Sequence, residues 1–373
     1  MRLANIAHLG VKELFSLWRD PVLLAFVAFA FTVGIYSAAT AQPESLHKAP
    51  IAIVDEDGSP LSQRIADAFY PPQFMPPVRI GTTQMDARMD AGLDTFALVI
   101  PPDFQRDLLA GRRPTIQLNV DATRISQAFT GSAYVQSIVG GEVSAFLTGR
   151  RVAATTPVDI ALRLRFNPEG NHAWFGSVME IINNVTMLSI VLTGAALIRE
   201  REHGTIEHLL VMPVTPFEIM ASKVWAMGLV VLLAAAGSLN FVVQGLLKVP
   251  IEGSVALFLA GAALHLFATT SMGIFLATVA RSMPQFGLLL LLALLPLQLL
   301  SGGMTPRESM PQAVQVIMLA APTTHFVALS QAILYRGAGL PVVWPQFAAL
   351  GLIGGVLFTF SLARFRRMLS ALG

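Results

Sequence analysis

The sequence predicts an α-helical integral membrane protein with six transmembrane helices, plus an α/β extracytoplasmic domain between the first and second spans. Three observations carry this. The 373-residue chain is 54% hydrophobic and only 13% charged, where a soluble domain carries about 25% charged residues. Its mean hydropathy is +0.62. The segment 42–173 stands apart from the apolar remainder, because 12 of the 25 Lys and Arg residues fall within it.

Residues 1–41 comprise a lead-in and a first span. Leu3, Ile6, Ala7, Val11, Leu14, Phe15 and Trp18 recur near helical spacing, with Arg2, Lys12 and Arg19 supplying positive charge. Such an amphipathic helix is suited to the membrane surface. Asp20-Pro21 reads as an N-cap followed by proline at the first helical position. The uncharged run Pro21–Ala41 has the roughly 20 residues that a span requires. A basic start, an apolar core and Ala39-Thr40-Ala41 also resemble a cleaved signal peptide. The apolar run and the basic lead-in are both long for one, so an uncleaved span is the expectation.

Within 42–173, short apolar runs alternate with helical patterns. Strands are expected at Ile51–Val54, Val78–Ile80, Phe96–Ile100 and Thr115–Val120. Helices are expected from Ser59-Pro60 to Phe69, at Thr82–Ala91, at Asp103–Ala110 and at Ile125–Thr148. This alternation describes a small-sheet α/β domain, and about 130 residues suffice for a core. Arg112-Arg113 and Arg150-Arg151 read as solvated surface, with docking of a periplasmic partner as the other reading.

Residues 174–373 form a five-span membrane domain, with expected spans at Trp174–Ile198, Ala221–Leu247, Val255–Ala280, Gln285–Leu300 and Pro345–Leu362. A cytoplasmic N-terminus puts ten basic residues on the cytoplasmic side: Arg2, Lys12, Arg19, Arg199, Arg201, Lys223, Arg281, Arg364, Arg366 and Arg367. The short outer loops keep only Lys248, Arg307 and Arg336. The positive-inside rule therefore places both termini in the cytoplasm and the 42–173 domain outside. Residues 301–344 are too interrupted by proline to span, and too apolar for free loop. Short helices dipping into the outer leaflet fit them, opened by a capping box at Thr305-Pro306-Arg307-Glu308. Thr215-Pro216-Phe217-Glu218 repeats that device before the third span.

The chemistry of a self-contained enzyme is missing. There is no cysteine, no phosphate-binding glycine-rich loop and no G-x-S-x-G, and H-E-x-x-H is absent. No metal site is expected, and no basic block suggests nucleic acid. What stands out is the loop 198–221. Arg199–Met212 is expected to form a short cytoplasmic helix, with Gly204 as a helix-ending glycine and Thr205 as a new cap. Ile206, Leu209 and Leu210 share one face there, and Pro213 stops the helix. One greasy face with flanking charges suits either a groove on a partner or the membrane surface.

The run REREHGTIEHLLVMPVTPFE between two spans resembles the signature loop of ABC-2-type permeases, the membrane subunits of ATP-binding-cassette exporters. DTFALVIPPDFQRDL in the insert resembles that family's extracytoplasmic domain. The likeness covers essentially the whole chain, and within the family it points to inner-membrane permeases of Gram-negative bacteria. It implies that Arg199, Glu200, Arg201, Glu202, His203, Gly204, Thr205 and Glu207 belong to a coupling helix docked on a separate cytosolic ABC ATPase subunit. It also implies a permease homodimer or a pair with a paralogous permease, with a periplasmic membrane-fusion adaptor as a further partner. ATP and Mg would be bound by the ATPase subunit, with no cofactor on this chain. Export from the cytoplasm or inner membrane is the implied function. An ATP-independent membrane anchor or receptor, binding a ligand or protein with its extracytoplasmic domain, is the alternative.

Polar side chains inside the spans form a second candidate set: Glu180, Asn183, Asn184, His265 and Gln298, with Asn240 and Gln244. Ionisable groups are costly at mid-bilayer, so such residues face a cavity or a neighbouring helix. They read either as translocation path or dimer seam, or as interhelical hydrogen bonding. For Glu180, hydration near the outer interface is the competing reading.

Overall fold

The computed structural model describes residues 2–40, 46, 48–121, 125–148, 172–205, 213–303 and 307–370. The chain divides into two compact units, Met1–Gln42 with Arg165–Gly373, and Pro43–Leu164.

Helix α1, Leu3–Trp18, leads into α2, Pro21–Thr40. Asp20 caps α2 by accepting from the Leu23 N–H, and Pro21 takes the first turn, where no amide donor is needed. A π-helical turn interrupts α2 at Ala30–Gly34.

The 43–164 unit holds a four-stranded mixed sheet. Its strands are β1 (Ile51–Asp55), β2 (Val78–Arg79), β3 (Phe96–Ile100) and β4 (Gln117–Val120), in spatial order β2-β1-β3-β4. β1 runs parallel to β2 and β3, and β4 closes antiparallel on β3 with Phe96 opposite Val120. The helices are α3 (Pro60–Asp67), α4 (Thr82–Asp90), α5 (Phe104–Leu109) and α6 (Ile125–Thr148). β1 is apolar throughout Ile51–Val54 because both its faces are covered, as expected of a central parallel strand. Its neighbours in the core include Leu61, Ile65, Phe74, Phe96 and Val135. Gly131 lets α6 close on the Phe96 ring, since a Cβ there would overlap it. Arg88 forks onto the buried Asp94 at 2.7 and 3.0 Å.

The other unit continues with α7 (His172–Glu202) and α8 (Pro216–Ser238), the latter running into a π-helical stretch, Leu239–Leu246. Next come α9 (Val255–Val279), α10 (Met283–Leu299), α11 (Gln312–Ile317), α12 (Pro322–Leu334) and α13 (Leu340–Ser370). α9 is central and packs against α7, α8, α12 and α13. Small residues permit the close approach. A Cβ on Gly273 would lie 2.6 Å from the Ile190 carbonyl oxygen, and one on Gly261 would lie 2.7 Å from Leu329.

Among the described residues the unit is mostly helical, with five helices long and apolar enough to cross a membrane, or six if one bent pair forms a span. One expectation changes. The expected Gln285–Leu300 span is the 17-residue helix α10, shorter than the other candidates. Further on, Gln312–Ala320 and Pro322–Leu334 meet at 92°, which gives the proline-broken segment the shape of a broken span or re-entrant loop. Pro322 has no N–H to extend the preceding helix, so the chain turns there. Of the expected capping box, Thr305 and Pro306 lie outside the described residues.

Candidate functional site: a charged clasp and a buried polar seam

The charged stretch is expected to start a separate short helix. Instead Arg199–Glu202 is the last turn of the long helix α7, which ends where Gly204 adopts a left-handed φ of 69°. Each of these four side chains reaches a different neighbouring element.

Arg199 Nη1 donates to Asp20 Oδ2 at 2.7 Å, at the junction of α1 and α2. Glu200 is buried, with Oε1 2.7 Å from Lys12 Nζ and Oε2 2.8 Å from Lys223 Nζ. Lys223 in α8 is 1% exposed and also donates to Glu13 Oε1 at 2.9 Å. Two lysines and two glutamates thus neutralise one another across α1, α7 and α8. Arg201 donates to the carbonyls of Ala277 (3.3 Å) and Ala280 (2.6 Å), satisfying the C-terminal end of α9. Glu202 Oε1 accepts from the Met283 N–H at the start of α10 (2.9 Å).

The lead-in helix is fastened by further contacts. Trp225 Nε1–H donates to the Ile6 carbonyl (3.1 Å), and the Arg2 N–H donates to Glu218 Oε1 (2.8 Å). Glu218 completes the expected capping box with Thr215. Gly10 lies flush on the Trp225 ring, with no room for a side chain. The face of α1 turned to the protein is Gly10, Glu13 and Leu17, while Leu3, Val11, Phe15 and Trp18 are exposed. The apolar stripe thus faces away from the protein.

Electrostatics reinforce the clasp. Half-burial works against the charge on Lys12, but the Glu200 and Glu13 carboxylates outweigh it and raise its pKa above the usual lysine value. Asp20 is held below the usual carboxylate range, first by the Leu23 N–H and, against some desolvation, by Arg199. A cavity of about 390 Å³ opens beside the cluster, lined by Lys12, Leu17, Leu192, Arg199, His203 and Met227 among others.

Of the eight coupling candidates, Arg199, Glu200, Arg201 and Glu202 therefore make internal contacts. His203 and Thr205 are exposed just beyond them, and the Thr205 hydroxyl donates to the Glu200 carbonyl (3.0 Å). Glu207, Ile206, Leu209 and Leu210 lie outside the described residues. Sequence reasoning missed Lys12, Glu13 and Asp20 as partners of the loop. A signal was available, since a lysine at position 223, inside a long apolar helix, demands a counter-charge.

The in-span polar residues separate into two groups. Asn184 is buried and donates to the Ala30 carbonyl at 2.8 Å, at the start of the π turn of α2. His265 is fully buried, with Nε2 2.9 Å from Thr186 Oγ1 and its ring stacked on Phe326 at 4.3 Å. One helical turn on, Ser189 donates to Thr269 Oγ1 (2.6 Å). The His265–Thr186 and Ser189–Thr269 contacts make a polar seam between α7 and α9. Glu180 and Asn183 are half-buried, with the Asn183 and Asn184 amides beside the Glu180 carboxylate. Gln298 is half-buried in α10, away from the seam, and Asn240 is exposed. Among the described residues, no group of three or more His, Asp or Glu side chains could hold a metal ion.

A family model described as an ABC-2 family transporter protein matches residues 22–363. The chain is 62% identical over 370 residues to the inner membrane transport permease YhhJ of Escherichia coli strain K12, with 99% of each chain covered. It is 26% identical over 359 residues to the probable multidrug ABC transporter permease YbhR of that strain, covering 95% of this chain and 96% of the relative. The probable multidrug ABC transporter permease YbhS matches at 28% identity over 271 residues, 70% of this chain and 69% of the relative.

Proposed function

Because the chain belongs to the ABC-2 family of transporter permeases, we propose that it is the membrane subunit of an exporter driven by ATP hydrolysis on a separate cytosolic ATPase. The ATPase docks on the segment that follows α7, including His203, Gly204, Thr205 and Glu207. The carrying observation is the clasp: the last turn of α7 is fastened to Asp20, Lys12, Lys223, the end of α9 and the start of α10. A push on the chain just beyond Gly204 is thereby shared among several helices.

In this reading the charged end faces the cytoplasm, both termini are cytoplasmic and the 43–164 unit is extracytoplasmic in the bacterial inner membrane. Two permeases, identical or paralogous, pair with two ATPases, and a periplasmic adaptor extends the path. Two relatives are described in their names as probable multidrug permeases, so amphipathic small molecules are the substrate class to test first.

The test is co-purification followed by transport. The detergent-extracted chain is expected to retain an ATPase subunit, and Glu202→Lys combined with Gly204→Pro is expected to abolish both retention and export. Failure to retain any ATPase, or export undiminished in that variant, would overturn the proposal.

A further inference from the structure

Along α12 and at the start of α7, away from the clasp, a cavity of about 400 Å³ has a mixed polar and apolar lining that includes two arginines. Arg307 and Arg336 both line it, and neither has an ion-pair partner among the described residues. Arg307 spends one bond, from Nη2, on the Gln315 carbonyl (3.2 Å), while its buried Nε has no partner among the described residues. Thr324, 3% exposed, lines the same cavity with a hydroxyl that also has no hydrogen-bond partner among the described residues. Buried donors are ordinarily satisfied. Two guanidinium groups without an ion-pair partner, and a hydroxyl without a hydrogen-bond partner, among the described residues around one space call for an anion with several acceptor oxygens, and arginine matches phosphate in fork geometry.

We propose that this cavity binds a phosphate ester, and that the phosphate is the head group of an anionic lipid. The apolar part of the lining carries the second clause. Phe175, Val327 and Ala328 are the apolar side chains of that lining, and Phe175 is fixed by stacking on Tyr335 (5.8 Å) and by the Tyr335 hydroxyl donating to its carbonyl (3.0 Å). Next in sequence to Gln315, whose carbonyl takes the Arg307 bond, Val316 and Ile317 on α11 are 62% and 69% exposed, so an acyl chain leaving the cavity past Arg307 finds apolar surface. The site is independent of ATPase docking, and its test needs no ATPase.

The experiment measures binding of a short-chain phosphatidylglycerol to the full chain in detergent, by native mass spectrometry. A short-chain phosphatidylcholine and inorganic phosphate serve as competitors. Saturable phosphatidylglycerol binding is expected, with R307Q/R336Q weakening it by about tenfold or more and T324V by less. The exposed Arg336 allows R336Q alone to serve as a variant whose folding is not in question, and it is expected to weaken binding too. Displacement by inorganic phosphate at equal concentration supports the anion site and assigns it to a free phosphate. Resistance to phosphate assigns it to lipid. Phosphatidylglycerol binding unchanged in both R336Q and R307Q/R336Q would overturn the proposal.

Discussion

Lys223 and Glu13 lie 210 positions apart in sequence, yet their charged ends meet at 2.9 Å inside the protein. The ammonium of Lys223 is held from its other side by Glu200, 2.8 Å away. Removing one member of a buried ion pair leaves an uncompensated charge, which costs about 3–5 kcal/mol. Lys223→Met should therefore lower the apparent melting temperature of the detergent-extracted protein sharply. Glu13→Gln with Lys223→Gln should recover part of that loss. A double-mutant cycle returning no coupling between positions 13 and 223 would show that the pair does not hold α1 in place.

The clasp should respond to alkali rather than to mild acid. Lys12 has its folded-state pKa raised above 10.5 by Glu200 and Glu13. Its contribution is accordingly present in full below the unfolded value and lost as pH rises through the folded one. Asp20 is lowered from 3.8, so its contribution persists through neutrality and is lost only as pH falls through that depressed value. Melting curves taken from pH 7 upward should decline beyond about pH 10.4, and Lys12→Met should reduce that decline. Lys12 is half exposed and solvent-screened, so the difference will be small.

Much of this could be read from the sequence, and the remainder has physical reasons. Asp20-Pro21 and Thr215–Glu218 cap helices where local chemistry requires it. β3 spans Phe96–Ile100, a run bounded by prolines on its C-terminal side. Local signals suffice in such places. The docked face of α1 was not legible, because helical periodicity selects Leu3, Val11, Phe15 and Trp18, and those side chains are exposed. The face in use is Gly10, Glu13 and Leu17, and its partners Trp225 and Lys223 are remote in sequence. The π turn at Ala30–Gly34 likewise carries no proline and is anchored by Asn184 from another helix. His265 and Asn184 could be marked as polar residues in spans, but not which carbonyl or hydroxyl each would find.

The seam offers a way to separate structural hydrogen bonding from a role in translocation. Interhelical bonds in membranes average about 0.6 kcal/mol in double-mutant cycles. Thr186→Val removes the partner of His265 Nε2 with little change of shape. A stability loss of about that size with export intact is expected if the seam only joins α7 to α9. Export abolished at unchanged stability would instead place His265 on the substrate path.

Close packing at α9 gives a sharper structural test. A Cβ on Gly273 would sit 2.6 Å from the Ile190 carbonyl oxygen, whereas one on Gly228 would meet Leu266 at an ordinary 3.8 Å. Gly273→Ala should thus cost about 1–3 kcal/mol, as overpacking does. Gly228→Ala should be close to neutral, and both can be compared by thermal unfolding in one detergent. Equal effects would mean that α7 and α9 are not in backbone contact.

Arg201 and Glu202 allow the internal clasp to be told apart from partner docking. Arg201 donates to two carbonyls at the end of α9, so Arg201→Leu removes charge-assisted bonds worth about 1.5–3 kcal/mol and should destabilise the isolated permease. Glu202 accepts from the Met283 N–H through a carboxylate oxygen, and its side chain is otherwise exposed. A glutamine oxygen can accept the same bond, so Glu202→Gln keeps the cap on α10 while removing one surface charge. If the ATPase reads that charge, Glu202→Gln should leave melting unchanged yet reduce retention of the ATPase subunit. Retention reduced only in step with lost stability, in both variants, would confine these residues to the clasp and move the docking surface wholly beyond Gly204.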